Sequence, residues 1–134
     1  MAFLYNIGIR TYTLAIRLAS PFNEKAALWI KGRKNIQKKI STVNKGSHRL
    51  VWFHAASLGE FEQGRPVMEA LKKEQPDTRI LLTFFSPSGY EIRKNYAGAD
   101  YIYYLPADTP RNARHFIESV QPDAAVFVKY EYWY

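Results

Sequence analysis

Leu50-Val51-Trp52-Phe53-His54-Ala55-Ala56-Ser57-Leu58-Gly59-Glu60-Phe61-Glu62-Gln63-Gly64 is the stretch whose reading decides the fold. It begins as an apolar run suited to a buried strand, passes through small residues and a glycine, and enters acidic residues suited to the first turn of a helix. The unit is therefore strand, tight turn, helix. In open α/β sheets the turn at the carboxyl end of a strand faces the ligand crevice, which puts Glu60 where a substrate could sit.

Working outward toward the C-terminus, strand and helix patterns alternate. Strands are expected over residues 50–54, 79–85, 101–105 and 124–130, the last as a buried strand. Helices are expected from the Glu60 turn to about residue 73, after the Ser86-Pro87-Ser88-Gly89 loop to residue 95, and over 111–120. Pro66 lies close to the start of the first of these helices or kinks it. Such alternation implies parallel βαβ units with right-handed crossovers, and so half of a doubly wound, Rossmann-like sheet. The loops after the four strands then share one edge, gathering Ser57, Gly59, Glu60, Ser86, Ser88, Gly89, Asp108 and Glu131. A chain that stops four residues after its fourth strand is expected to lack a second domain.

Working outward toward the N-terminus, the composition changes. The 134 residues carry a net charge of +7, but residues 1–49 hold ten Lys and Arg against Glu24 alone, whereas residues 50–134 are slightly acidic. The division expected is a helical, basic, membrane-associating segment over 1–48 and an α/β domain over 49–134. From residue 3 to residue 22 the chain is greasy, yet Asn6, Arg10, Thr13, Arg17 and Ser20 recur at spacings of four and three and form one polar stripe on a helix. Two arginines make a span expensive, about 2.5–3.5 kcal/mol each near the bilayer centre. A helix lying in the membrane interface fits better, with packing onto a protein surface as the other reading. Asn23 can cap a second, lysine-rich helix, which Gly32 weakens or breaks. The basic run suits an anionic membrane surface, and it lacks any recognisable nucleic-acid motif.

Glu60 is the best candidate for a general base, because a helix N-terminus favours its charged form. An acid there is equally good helix chemistry. Gly59 permits close approach of a ligand to the backbone, but neither GxGxxG nor GxxxxGK[ST] is present. Ser86 and Ser88 suit either a phosphate contact or an ordinary N-cap. His54, at the end of its strand, could contact substrate or make a structural hydrogen bond. With no cysteine and with His48, His54 and His115 scattered, no metal site is expected.

At these residues the sequence resembles the 3-deoxy-D-manno-octulosonic acid (Kdo) transferases of lipopolysaccharide synthesis. Trp52-Phe53-His54-Ala55-Ala56-Ser57-Leu58-Gly59-Glu60 is similar to the family's W-x-H-A-x-S-x-G-E signature, and the segments 83–89, 104–108 and 129–133 resemble three further motifs in the same order. Ser86 and Ser88 replace family threonines, and Lys129 stands where a glutamate is usual. The resemblance implies the N-terminal, acceptor-holding half of a two-domain GT-B glycosyltransferase. It implies inverting transfer of Kdo from CMP-Kdo to a lipid A precursor (lipid IVA), with no catalytic metal or cofactor and with Glu60 as the base. His54, Ser57, Gly59, Ser86, Ser88, Gly89, Asp108 and Glu131 would bind substrate. The expected location is the cytoplasmic face of the cell inner membrane, with no nucleic-acid partner. A non-catalytic anion- or lipid-binding module of flavodoxin-like shape is the alternative.

Overall fold

In the computed structural model, which describes residues 2–129, ten elements follow one another. Three helices come first: α1 (Ala2–Ala19), α2 (Glu24–Arg33) and α3 (Ile36–Ile40). The alternating part follows as β1 (Leu50–Ala55), α4 (Leu58–Glu74), β2 (Arg79–Phe84), α5 (Pro87–Arg93), β3 (Tyr101–Tyr104), α6 (Pro110–Val120) and β4 (Ala124–Phe127). All strand pairs are parallel and the sheet order is β3-β2-β1-β4. The chain thus moves outward from β1 to β3, then crosses back to the other side of β1. That reversal places a topological switch point between β1 and β4, where open α/β sheets form their crevice.

The period of two along each strand builds two cores. Leu50 and Trp52 of β1 and Leu81 of β2 face α3 and α6, packing with Ile36, Ile40 and Phe116. Phe53 and Ala55 of β1 and Ile80, Leu82 and Phe84 of β2 face α4, packing on Phe61 and Met68. Burial of a large apolar side chain such as Phe61, which is fully enclosed, stabilises the fold by about 1.5–3 kcal/mol. Helix α3 supplies Ile36, Ile40 and, just beyond it, Val43 to the same core as the strands.

As expected near Gly32, the lysine-rich stretch is broken: α2 ends one residue beyond it, at Arg33, and α3 begins at Ile36, while the Tyr104 ring presses against Gly32, where any Cβ would collide with it. One local expectation is corrected. The fourth strand ends at Phe127 and is exposed, with Val126 and Phe127 36% and 37% accessible. β4 is an edge strand of the described sheet, paired on one side only, with β1. Pro66 sits inside α4, and Gly64 beside it admits Val128, whose Cγ2 would lie 2.8 Å from an added Cβ.

Helices α1 and α2 lie against the carboxyl edge of the sheet. Arg33, at the end of α2, reaches in with its Nε donating to the carbonyl of Leu105 and its Nη2 to that of Phe85, both at 2.9 Å. Its guanidinium stacks 3.8 Å from the Trp29 ring centroid and 4.9 Å from that of Tyr104. Burial lowers this group to about 9, so at neutral pH it remains a cation, here shared between carbonyls and aromatic faces. One residue thereby ties α2 to the loops after β2 and β3.

Candidate functional site

Glu60 stands at the third position of α4, one turn beyond the end of β1. Ser57 caps that helix with extended backbone (φ −140°, ψ 176°), and Glu60 reaches back to it as in a capping box. The Ser57 backbone N–H and hydroxyl both donate to Glu60 Oε2, at 2.7 and 2.8 Å. Oε1 has no hydrogen bond among the described residues. The carboxylate is half-buried and rigidly aimed, with one oxygen engaged and the other available. Gly59 beside it is exposed.

The neighbouring loop is locked to this turn. Ser86 N–H donates to the carbonyl of Ala56 at 2.8 Å, and the Ser86 hydroxyl caps α5 by accepting from Ser88 N–H at 3.2 Å. The Ser86 and Ser88 hydroxyls are themselves 2.9 Å apart. Gly89 is buried between the Phe84 ring and the Ser57 backbone, whose carbonyl carbon would be 3.1 Å from an added Cβ. Gly89 is thus the spacer that lets α5 approach the Glu60 turn.

His54 is fully buried one layer below. Its Nδ1 is hydrogen-bonded to Thr83 Oγ1 at 2.9 Å, and the same oxygen accepts from Trp52 Nε1 at 2.8 Å. Burial lowers the His54 imidazole to about 4, the nearby Glu60 charge opposing this only in part. It is therefore neutral at physiological pH. The Phe127 ring covers it with a centroid separation of 5.8 Å, so the side chain braces the switch point from within the sheet.

Asp108, in the loop after β3, accepts from the Tyr5 hydroxyl at 2.6 Å and so ties that loop to α1. Beside it opens a mainly apolar cavity of about 210 Å³ walled by Trp52, Phe116, Ile117 and Phe127, with Asn112 as a polar member. Ser57, Gly59, Glu60, Ser86, Ser88 and Gly89 are thus drawn into one surface by direct contacts, His54 supports it from below, and Asp108 is held in a separate contact with α1. Glu131 lies outside the described residues.

Sequence reasoning missed Thr83, the shared acceptor of Trp52 and His54, and Arg33. The isolated Gly32 within a helical pattern was the available signal for a close approach beside Arg33.

A strand-to-helix turn with an aimed carboxylate, at the carboxyl edge of a β3-β2-β1-β4 parallel sheet, defines the chain as one half of a doubly wound ligand-binding α/β fold, consistent with the N-terminal half of a GT-B protein. Residues 30–134 match the family model described as 3-Deoxy-D-manno-octulosonic-acid transferase (kdotransferase). The chain is 39% identical over 84 residues to the 3-deoxy-D-manno-octulosonic acid transferase of Aquifex aeolicus, covering 62% of this chain and 23% of that protein. It is 33% identical over 84 residues to the transferase of the same description from Haemophilus influenzae (62% and 20%), and 33% identical over 85 residues to a probable mitochondrial one from Arabidopsis thaliana (63% and 19%). The chain belongs to the Kdo transferase family. It spans about a fifth of the length of these curated relatives.

Proposed function

We propose that this chain is the acceptor-side domain of an inverting GT-B glycosyltransferase that moves Kdo from CMP-Kdo to the glucosamine disaccharide of a lipid A precursor. The observation that carries the reading is the Glu60 carboxylate, held through Oε2 by Ser57 while Oε1 is left available at the crevice edge. The acceptor hydroxyl oxygen attacks the anomeric carbon of Kdo from the face opposite CMP. As that C–O bond forms, the bond to the CMP phosphate breaks and its electron pair leaves with CMP. The hydroxyl proton passes to Glu60 Oε1. A base fixed by two hydrogen bonds loses little freedom on reaching this geometry. The donor would be held mainly by a second domain, and no catalytic metal is required.

The site of action in this reading is the cytoplasmic face of the cell inner membrane. What supports it is α1, whose Phe3, Leu4, Leu14 and Leu18 are 57–74% accessible, next to a segment rich in lysine and arginine. Among the described residues no helix is long and apolar enough to cross a membrane, which favours a helix lying in the interface.

The test is Kdo transfer from CMP-Kdo to lipid IVA by the protein at the length of its relatives, wild type against Glu60→Gln. Loss of the base should lower the rate by about 10²–10⁴ while the fold persists. An unchanged rate would reduce Glu60 to a helix cap. Absence of transfer by wild type would instead favour a non-catalytic anion- or lipid-binding module.

A further inference from the structure

At the carboxyl ends of parallel strands the last carbonyls run out of ladder partners, and a buried carbonyl left so is costly. Phe85 and Leu105 are each the first residue beyond a strand, β2 and β3. One side chain from outside the sheet takes both carbonyls: Arg33 donates to them through Nη2 and Nε, each over 2.9 Å. Its Nη1 donates to the carbonyl of Trp29 at 3.4 Å, so all three nitrogens are directed at the protein's own backbone. Among the described residues no carboxylate forms an ion pair with it. A planar fork spans two neighbouring carbonyls, whereas an ammonium is a point charge that reaches one.

The hold on Phe85 extends to its ring. Tyr12 of α1 stacks on it with a centroid separation of 6.3 Å, and Trp29 of α2 meets it edge-on at 6.2 Å. The Arg33 guanidinium lies 5.2 Å from the centre of the same ring. Gly32 lets α2 come close enough for this reach, since the Tyr104 ring fills the place of its Cβ.

The residue after Phe85 is where this loop meets the candidate base. Ser86 N–H donates to the carbonyl of Ala56 at 2.8 Å, and Gly89 brings α5 against the Ser57 backbone. Ser57 in turn holds Glu60 Oε2. Direct contacts therefore run from the guanidinium through Phe85, Ser86, Ala56 and Ser57 to the carboxylate. The second arm of the fork fixes the loop after β3 beside it, where Leu105 N–H also donates to the carbonyl of Phe84 at 2.8 Å.

We infer that Arg33 is a positioning residue of the transfer site, its guanidinium capping β2 and β3 and thereby holding Ser86 and the start of α5 against the turn that aims Glu60. The effect on catalysis rests on the transferase reading above, whereas the hold on the loop rests on the geometry itself.

The test begins with amide hydrogen exchange on the 134-residue chain, comparing wild type, Arg33→Met, Arg33→Lys and a control, Lys72→Met. The control removes a 2.8 Å tie from α4 to Asp100 at the opposite end of β2. Arg33→Met should speed exchange at Ser86 by about tenfold or more relative to Leu82 within β2, with Arg33→Lys between it and wild type. An equal rise at both amides would make Arg33 a general stabiliser and overturn the inference. So would a selective rise at Ser86 of the same size in Lys72→Met.

The second measurement is transfer from CMP-Kdo to lipid IVA by the protein at the length of its relatives. Arg33→Met should lower kcat about 10- to 100-fold while KM for either substrate changes little. Ethylguanidinium, well below denaturing concentrations, should restore both kcat and Ser86 protection to Arg33→Ala, and ethylammonium should restore neither. Should the Met and Ala variants fail to fold, Arg33→Lys keeps charge and length and still must show the lowered kcat and the selective loosening. A raised KM with unchanged kcat would make Arg33 a substrate contact and overturn the positioning role. If the variants loosen Ser86 but transfer Kdo at the wild-type kcat, the positioning role fails and the transferase reading stands. If wild type transfers nothing while Arg33→Met still loosens Ser86 selectively, the transferase reading fails and the hold on the loop stands.

Discussion

Glu60 Oε2 accepts from both the backbone N–H and the hydroxyl of Ser57, at 2.7 and 2.8 Å, so the residue that begins α4 also aims its candidate base. Structural and chemical roles of Glu60 are therefore separable by substitution. Glu60→Gln retains an oxygen for the Ser57 N–H and should move the melting temperature little. Ser57→Ala removes the hydroxyl and should cost about 1 kcal/mol of stability, with a smaller loss of transfer than Glu60→Gln. Thermal melts paired with transfer rates check both, and equal rate losses in the two variants would contradict the assignment.

Thr83 Oγ1 sits between Trp52 Nε1 and His54 Nδ1 in the buried sheet. Thr83→Val keeps the shape and removes the acceptor of the indole N–H, which should destabilise the fold by about 1–3 kcal/mol. Thr83→Ser keeps the hydroxyl and should lose less. Urea denaturation of the three proteins is the measurement.

His54 makes the fold acid-sensitive. Its folded value is lowered to about 4 by burial, against 6.5 for the free side chain, so between about pH 6.5 and pH 4 the unfolded chain binds a proton that the folded chain does not. Stability from this group is present above pH 6.5 and declines as pH falls, the full penalty being reached near pH 4. Its size is about 3 kcal/mol at roughly 1.4 kcal/mol per pH unit. Denaturation of wild type and His54→Asn at pH 7 and pH 4.5 should show a smaller drop in the variant.

Much of this architecture was legible because helix and strand periods alternate cleanly after residue 49. The Asn23 and Ser86 caps stand where the chain places them, and β1 and α4 differ from expectation only at their ends. The Glu60 turn was legible for the same reason, since a strand, small residues and an acid fix one local geometry. What was not legible depended on distant partners. Arg33 is one cation among several in its run, and what distinguishes it is the carbonyls of Phe85 and Leu105 and the Tyr104 ring, all far off in sequence. Helix α3 has five residues, too few to display a period, although Ile36 and Ile40 enter the core. β4 has the composition of a buried strand, but its position at the edge of the described sheet leaves it exposed.

Gly32 is required by its neighbour rather than by its own helix. In an ordinary helix Gly→Ala gains up to about 1 kcal/mol. Here an added Cβ would run into the Tyr104 ring, which is itself buried and packed at a tilt against Tyr90 with a centroid separation of 4.2 Å. Gly32→Ala should therefore destabilise by about 1–3 kcal/mol, the usual cost of overpacking. A melt more stable than wild type would show that Tyr104 can move aside.

The apolar arc of α1 gives the last expectation. Ile7 and Leu14 are 46% and 57% accessible, so replacing both by Asp should leave the folded core intact. If α1 lies in a membrane interface, each change removes a side chain whose burial is worth up to about 1.5–3 kcal/mol and adds a negative charge facing anionic lipid. Partitioning onto anionic vesicles should then fall by about a hundredfold or more, with far-UV circular dichroism unchanged. High salt should weaken wild-type binding without abolishing it, because the apolar part is not screened. Unchanged partitioning of the double variant, at either salt concentration, would assign α1 to a protein surface instead.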